Sequence, residues 1–148
     1  MLQIQGQQVE VQDGQTCADA LRGVLSGKKM KSVVACVCDG ALLDLSREVP
    51  EKASTLEPVF IDSPEGLKIL RHSAAHVMAE AVKALYPSAQ VTIGPDIEHG
   101  FYYDFDFERP FTPEDLEKIQ TRMTESVQAN HPFVREEMSA AQAKALFS

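Results

Sequence analysis

The stretch Val33-Val34-Ala35-Cys36-Val37-Cys38, followed by Asp39-Gly40, decides the fold of the first part of the chain. It is a continuous apolar run rich in β-branched residues, which predicts a buried strand. Asp39-Gly40 tolerates left-handed backbone, so the chain should turn there into a second strand over residues 41–45. Cys36 and Cys38 are expected to be buried thiols rather than a metal pair, because no second pair of ligands follows at zinc spacing.

Short elements surround this hairpin in the sequence. Residues 2–11 contain two alternating segments that predict a first β-hairpin. Thr16 is a suitable N-cap for a helix that we expect to end at Ser26-Gly27, and residues 56–61 supply a last strand. This order of elements is that of a β-grasp module: two strands, a helix, a strand, a short connecting segment and a final strand. It predicts such a domain over residues 1–62.

Composition limits the class of protein. The chain has 148 residues, 44% of them hydrophobic, and a formal net charge of -8. This acidic balance argues against a surface that binds nucleic acid everywhere, but it allows local contact. No apolar run approaches the roughly 20 residues that cross a bilayer, and no secretory signal is apparent. With three cysteines, an odd number suited to a reducing compartment, we expect a soluble cytosolic protein.

Ser63-Pro64 marks the predicted boundary between two domains. Ser63 can cap a helix and Pro64 suits its first position, so a helix should run from there to about Tyr86. His72 and His76 stand one turn apart on the same side of it, and we predict that this side lies opposite the core. At about 100° per residue, the predicted core stripe contains Leu67, Leu70, Ala74, Met78, Ala81 and Leu85.

The histidine pair has three interpretations. The first is that His72 and His76 are ordinary surface residues. The second is a metal pair, which needs at least one more protein ligand, and the protease form of the motif has Glu where this chain has Ser73. The third is a hydrolytic pair, since a neutral imidazole accepts a proton from water at cellular pH.

A second motif follows Pro87, where glycines at 94 and 100 flank a turn. Thr112 and Pro113 then predict another helix, residues 132–134 should return to the sheet, and Ser139 should cap a last helix. From residue 101 the chain alternates, which predicts a core face and a solvent face: Phe101, Tyr103, Phe105 and Phe107 on the first, and Tyr102, Asp104 and Asp106 on the second.

These motifs carry a resemblance to known families. Val37-Cys38-Asp39-Gly40-Ala41-Leu42-Leu43-Asp44-Leu45-Ser46 resembles the TGS domain, a ubiquitin-like β-grasp module. Together with His72-Ser73-Ala74-Ala75-His76, Ile93-Gly94-Pro95 and Gly100-Phe101-Tyr102-Tyr103-Asp104-Phe105, it resembles the N-terminal region of bacterial threonyl-tRNA synthetases across essentially the whole chain. The histidine motif alone also resembles the editing domain of alanyl-tRNA synthetases, but the other motifs favour threonine.

The resemblance implies an α+β fold in two parts. Residues 1–62 would form the TGS-like domain, and residues 63–148 would form the first part of a tRNA editing domain, with helices packed on an antiparallel sheet. Such a domain hydrolyses serine wrongly attached to tRNA(Thr). Serine lacks one methyl group of threonine, a difference worth only about 1 to 3 kcal/mol in a pocket, so a second, hydrolytic site is required.

The resemblance also implies roles for five residues. His72 and His76 would be catalytic, positioning or activating water against the ester carbonyl. Tyr102, Tyr103 and Asp104 would line the substrate pocket, and the alternation favours Tyr102 and Asp104 as the two that are open to a ligand.

Partners and cofactors follow from the same resemblance. tRNA(Thr) and the serine or threonine ester at its 3′ end are the expected partners, and the full-length, ATP-dependent ligase is expected to be a cytoplasmic homodimer without membrane contact. No cofactor or metal is expected in this chain, because ATP with magnesium and a zinc ion belong to a catalytic core for which it has no room.

One departure from the family concerns the Cys-x-x-x-His motif of the editing domain. None of the three cysteines has a histidine four residues later. We therefore expect an incomplete site that is inactive by itself. Two alternatives remain at this point: a non-catalytic module that docks RNA or a regulatory partner, and a free-standing aminoacyl-tRNA deacylase.

Overall fold

The computed structural model describes residues 1–97, 99–131 and 136–146. It has mixed helices and small antiparallel sheets, which confirms the α+β class. The predicted strand at 132–134 lies outside the described residues. In chain order the elements are β1 (Leu2–Ile4), β2 (Gln7–Val9), α1 (Cys17–Arg22), α2 (Gly27–Met30), β3 (Val33–Cys38), β4 (Ala41–Leu43), β5 (Leu56–Phe60), α3 (Pro64–Leu85), β6 (Gln90–Val91), β7 (Asp96–Ile97), β8 (Gly100–Phe101), β9 (Phe105–Asp106), α4 (Pro113–Ala129) and α5 (Ala140–Leu146).

Strand β3 is the centre of the first sheet. It pairs antiparallel with β4 on one side and β5 on the other. At the predicted turn, Asp39 and Gly40 both have positive φ, of 45° and 85°, which a tight turn between these strands requires. The Asp39 carboxylate accepts hydrogen bonds from the backbone amides of Ser54 and Thr55. These bonds lower the pKa of Asp39 and tie the turn to the loop before β5.

The first helix is shorter than predicted. Thr16 caps it as expected, with its hydroxyl oxygen accepting from the Asp19 amide at 3.2 Å. The helix ends at Gly23 rather than at Ser26-Gly27, because glycine has low helix propensity and Ser26 caps α2 instead by accepting from the Lys29 amide.

A closed apolar core holds residues 1–62 together. All three cysteines are buried in it as free thiols, as the sequence predicts for Cys36 and Cys38. Burial raises the pKa of Cys36 to about 12 and also raises those of Cys17 and Cys38, so these thiols stay protonated and unreactive. The buried members of this core are Leu2, Ile4, Cys17, Ala20, Leu21, Leu25, Val33, Cys36, Cys38 and Leu56.

Helix α3 begins and ends where the sequence predicts, but its buried face matches the predicted core stripe only in part. Ser63 caps it by accepting from the Gly66 amide at 3.0 Å. Ala81 of the predicted core stripe is buried and Met78 packs against the second core. The three leucines of the stripe are exposed, whereas Ala75, Ala79 and Val82, which lie outside it, are buried. Small side chains let α4 and the short strands approach closely, and the sequence of one helix does not reveal where those neighbours lie. No helix in the described ranges is long and apolar enough to span a membrane.

Helix α4 packs against α3 and is fastened at its start. Thr112 and Asp115 form a reciprocal capping box. Asp115 is only 3% exposed, and its carboxylate also accepts from the Arg109 guanidinium and from the Tyr86 hydroxyl at 2.8 Å. The second core surrounds this network and contains buried Ala81, Val82, Ala89 and Ile119, with half-buried Met78, Tyr86, Phe105, Phe107, Phe111 and Met123.

The alternation after Gly100 is confirmed by burial. Phe101, Tyr103, Phe105 and Phe107 are half-buried, and Tyr102, Asp104 and Asp106 are exposed. Within the described residues, the strands here are two residues long, and β8 pairs with β7 and β9 with β6.

Candidate functional site

The two motif histidines form a close pair on α3. The Nε2 atoms of His72 and His76 are 3.1 Å apart, and the rings meet edge to face with centroids 4.6 Å apart. Both residues are exposed, as predicted. They lie beside the buried Ala75 and Ala79, however, not opposite the buried face of the helix as the predicted stripe implied.

This geometry constrains the protonation of the pair. At a hydrogen-bonding distance, one Nε2 must carry a proton and donate it while the other accepts with its lone pair. When both rings are protonated, both nitrogens are donors and the bond is lost. A donating ring in its neutral tautomer keeps a lone pair on Nδ1, and that nitrogen can orient or deprotonate a water molecule.

Tyr102, Tyr103 and Asp104 play different structural roles. Tyr102 and Asp104 are exposed. The Tyr103 ring stacks on Phe105 with centroids 5.0 Å apart, and a Cβ at Gly94 would overlap it. Gly94 therefore makes room for Tyr103, which is a packing residue here.

The second motif lies near the same helix as the histidines. Strands β7 and β8 pack against α3, and Arg71 donates to the Ile97 carbonyl at 3.3 Å. Among the described residues, no hydrogen bond joins either imidazole to Tyr102, Tyr103 or Asp104. The structure thus places the two motifs on adjoining elements.

A cleft between α3 and α4 adds residues that the sequence analysis did not select. Its volume is about 510 Å³, and His76 lines it together with Glu80, Arg122, Ser126 and His131. Of these residues, only Glu80 could have been selected from the sequence, because it follows His76 by four residues and therefore lies on the same side of the helix. The others reach the cleft through the packing of α4 on α3, which is a tertiary contact.

Metal binding has no support in the described part of the chain. No group of three or more His, Cys, Asp or Glu side chains is arranged there to hold an ion. Two imidazoles alone fall short of a protein zinc site, which needs at least three ligands.

Comparison with known proteins finds that the curated relatives of this chain are ligases named for an amino acid and tRNA. No family model matches the chain. The relatives are all named as threonine–tRNA ligases. Threonine–tRNA ligase of Nitratidesulfovibrio vulgaris (strain DSM 19637 / Miyazaki F) is 59% identical over 97% of this chain. The ligases of Oleidesulfovibrio alaskensis and Pelobacter propionicus are 57% and 49% identical over 98% and 97% of it.

The chain spans 22% of the length of these curated relatives. Nearly all of it is therefore homologous to one part of threonine–tRNA ligase, which confirms the resemblance found from the motifs.

Proposed function

We propose that this chain is the N-terminal region of a threonine–tRNA ligase and contributes to tRNA binding and to the hydrolytic editing of Ser-tRNA(Thr). The observation that carries the proposal is the exposed pair of His72 and His76, with Nε2 atoms 3.1 Å apart, in a chain that matches threonine–tRNA ligases over 97% of its length. Residues 63–148 would be the first part of the editing domain.

Residues 1–62 would be the TGS-like β-grasp domain. A parallel bridge between Gln3 and Thr55, with the Gln3 amide donating to the Ser54 carbonyl at 2.9 Å, sets β1 beside β5. The resulting strand order, β2-β1-β5-β3-β4, supports a β-grasp sheet. Its proposed role is docking onto tRNA or onto the rest of the ligase.

The chemistry that we propose is hydrolysis of an ester. One imidazole of the pair would take a proton from water as it attacks the seryl carbonyl, and the other would orient the first through the shared hydrogen bond. Exposed Tyr102 and Asp104 would face the bound aminoacyl end. Partners would be tRNA(Thr) and its serine or threonine ester, in a cytoplasmic, homodimeric ligase whose ATP, magnesium and zinc belong to its catalytic core.

The test joins this chain to the sequence that follows it in its gene and measures release of serine from Ser-tRNA(Thr). We expect His72→Ala and His76→Ala each to slow hydrolysis by about 10² to 10⁴-fold, the usual contribution of a general base. Exposed His99, changed to alanine, is the matched control and should retain activity.

Two outcomes would contradict the proposal. One is hydrolysis that survives both histidine variants. The other is a downstream sequence that encodes a protein other than an aminoacyl-tRNA ligase. Efficient release of serine by the 148-residue chain itself would contradict our expectation that its site is incomplete.

A further inference from the structure

The cleft between α3 and α4 has a fixed carboxylate on its wall. Glu80 accepts from the Arg122 guanidinium at 2.9 Å through Oε1 and from the Ser126 hydroxyl at 2.7 Å through Oε2. Two bonds to different oxygens hold the carboxylate in one orientation. Each oxygen accepts a further bond, because a carboxylate has about four lone-pair sites, and the Glu80 side chain is half-exposed.

The charge around this carboxylate decides what the cleft can take. Arg122 faces two acids, Glu80 at 2.9 Å and Glu125 at 3.5 Å, so its positive charge is already compensated. A phosphate would be repelled by the Glu80 carboxylate, and the charge of Arg122 is already compensated, so phosphate binding is unfavourable. A primary ammonium group would meet an oriented carboxylate instead, a charge-assisted hydrogen bond of the strong kind.

The position of Glu80 relative to His76 fits one particular ammonium group. The two residues are four apart on α3, which puts their Cβ atoms about 5 to 6 Å from each other, and both line the cleft. In an aminoacyl ester, one carbon separates the ammonium nitrogen from the carbonyl carbon. An ester whose carbonyl lies at His76 can therefore place its ammonium at Glu80.

We propose that Glu80 binds the α-ammonium group of the seryl ester in this cleft, and that Arg122 and Ser126 are positioning residues that orient it. This inference rests on the proposed editing function and names the residue that would hold the amino acid. The cleft's volume of about 510 Å³ is within the range of ligand pockets, about 300 to 1,000 Å³.

The experiment compares two non-hydrolysable probes on the 148-residue chain. One is adenosine with an L-serylamide at its 3′ position, and the other is the 3-hydroxypropionamide, which differs by lacking the ammonium group. Titration by calorimetry or NMR should show that the serylamide binds about ten-fold or more tightly, as expected for a charged hydrogen bond.

Glu80→Gln should abolish this preference, whereas Glu117→Gln, which changes an exposed carboxylate on α4, should preserve it. Circular dichroism checks that the variants fold. If Glu80→Gln unfolds, Ser126→Ala, which removes one bond to Glu80, should still reduce the preference. A purely structural ion pair would not discriminate between the two probes.

Three results would overturn the inference: equal binding of both probes, no binding of either, or a preference that survives Glu80→Gln. If the longer protein nevertheless hydrolyses Ser-tRNA(Thr) in a His72-dependent reaction, the editing function stands and only the role of Glu80 is wrong.

Discussion

Residues 1–62 and residues 63–146 bury their apolar side chains very differently. The first region closes around fully buried large residues such as Ile4, Leu21 and Leu56. Its exposed large hydrophobic residues are Met1, Leu42 and Ile61. The second region buries mainly small side chains, and it leaves many large ones exposed, namely Leu67, Leu70, Leu85, Val91, Ile93, Ile97, Tyr102, Leu116, Val127, Met138 and Leu146.

This difference suggests that the first region contributes mainly to stability and that the second carries the candidate site. A core of large buried side chains supplies most of the free energy of folding, so the first region has the composition of a self-sufficient unit. The second region depends more on hydrogen bonds between polar groups, such as those to Asp115, and it carries the exposed histidines. A region of this kind has surface available for a ligand or for further parts of a longer protein.

The largest expected effect is the loss of a core side chain from the first region. Leu56 is 0% exposed, whereas Leu42 is 47% exposed. Leu56→Ala should lower the free energy of unfolding by about 2 to 5 kcal/mol because it leaves a cavity, and Leu42→Ala is the matched control, with a change of about 0.5 kcal/mol or less.

Two spectroscopic signals in urea unfolding make this test sharper. All three tyrosines, Tyr86, Tyr102 and Tyr103, lie in the second region, so tyrosine fluorescence reports on it alone, while circular dichroism reports on both regions. We expect Leu56→Ala to shift the circular dichroism transition more than the fluorescence transition. Equal shifts would show that the two regions unfold as one unit and that the comparison fails.

The next effect concerns the connection between the regions. A Cβ at Gly66, in the first turn of α3, would overlap the Phe60 carbonyl oxygen at the end of β5, whereas Gly27, in the first turn of α2, has open space. Gly66→Ala should cost about 1 to 3 kcal/mol through displacement of backbone. Gly27→Ala should be neutral or slightly stabilising because alanine favours helix. Thermal unfolding measures both, and similar behaviour of the two variants would argue against this contact.

The smallest effect is a pH dependence confined to the second region. Hydrogen bonds from Arg109, the Thr112 amide and Tyr86 hold the pKa of Asp115 well below its ordinary value of 3.8. A lowered pKa in the folded state stabilises the fold above the unfolded-state value, and this stability is lost as the pH falls through the folded-state pKa.

Asp115→Asn tests this linkage by fluorescence-detected thermal unfolding. The midpoint of the variant should lie below that of the original chain at pH 7, and the difference should shrink as the pH falls below 3.8, the ordinary value. Glu117→Gln, on the same helix, is the control and should show no such trend. A difference that is constant with pH would mean that Asp115 acts through packing rather than through its charge.

Local features of the fold were predictable from the sequence. Val33–Cys38 forms the predicted strand, and Thr16, Ser63 and Thr112 cap the predicted helices. Each of these features depends on residues within about four positions, so its cause is contained in a short stretch. The prediction that α1 extends to Ser26-Gly27 was wrong. The helix ends at Gly23, and Ser26 caps the next helix instead.

The candidate site was predictable in its residues but not in its arrangement. The spacing of His72 and His76 fixes their common side of α3, because an α-helix repeats every 3.6 residues. The side that becomes buried depends on where neighbouring elements pack, and it includes the small residues Ala75 and Ala79, which a stripe of large hydrophobic residues does not reveal.

By itself, the sequence determined the family resemblance, the N-caps of the helices and the histidine pair, since motifs and caps are local chemical patterns. Only the tertiary structure decided that α3 buries Ala75 and Ala79 and leaves Leu67 exposed. It also decided that Glu80 meets Arg122 and Ser126 across a cleft. The two contacts of Glu80 join residues more than forty positions apart, and long-range packing, which no local pattern encodes, brings them together.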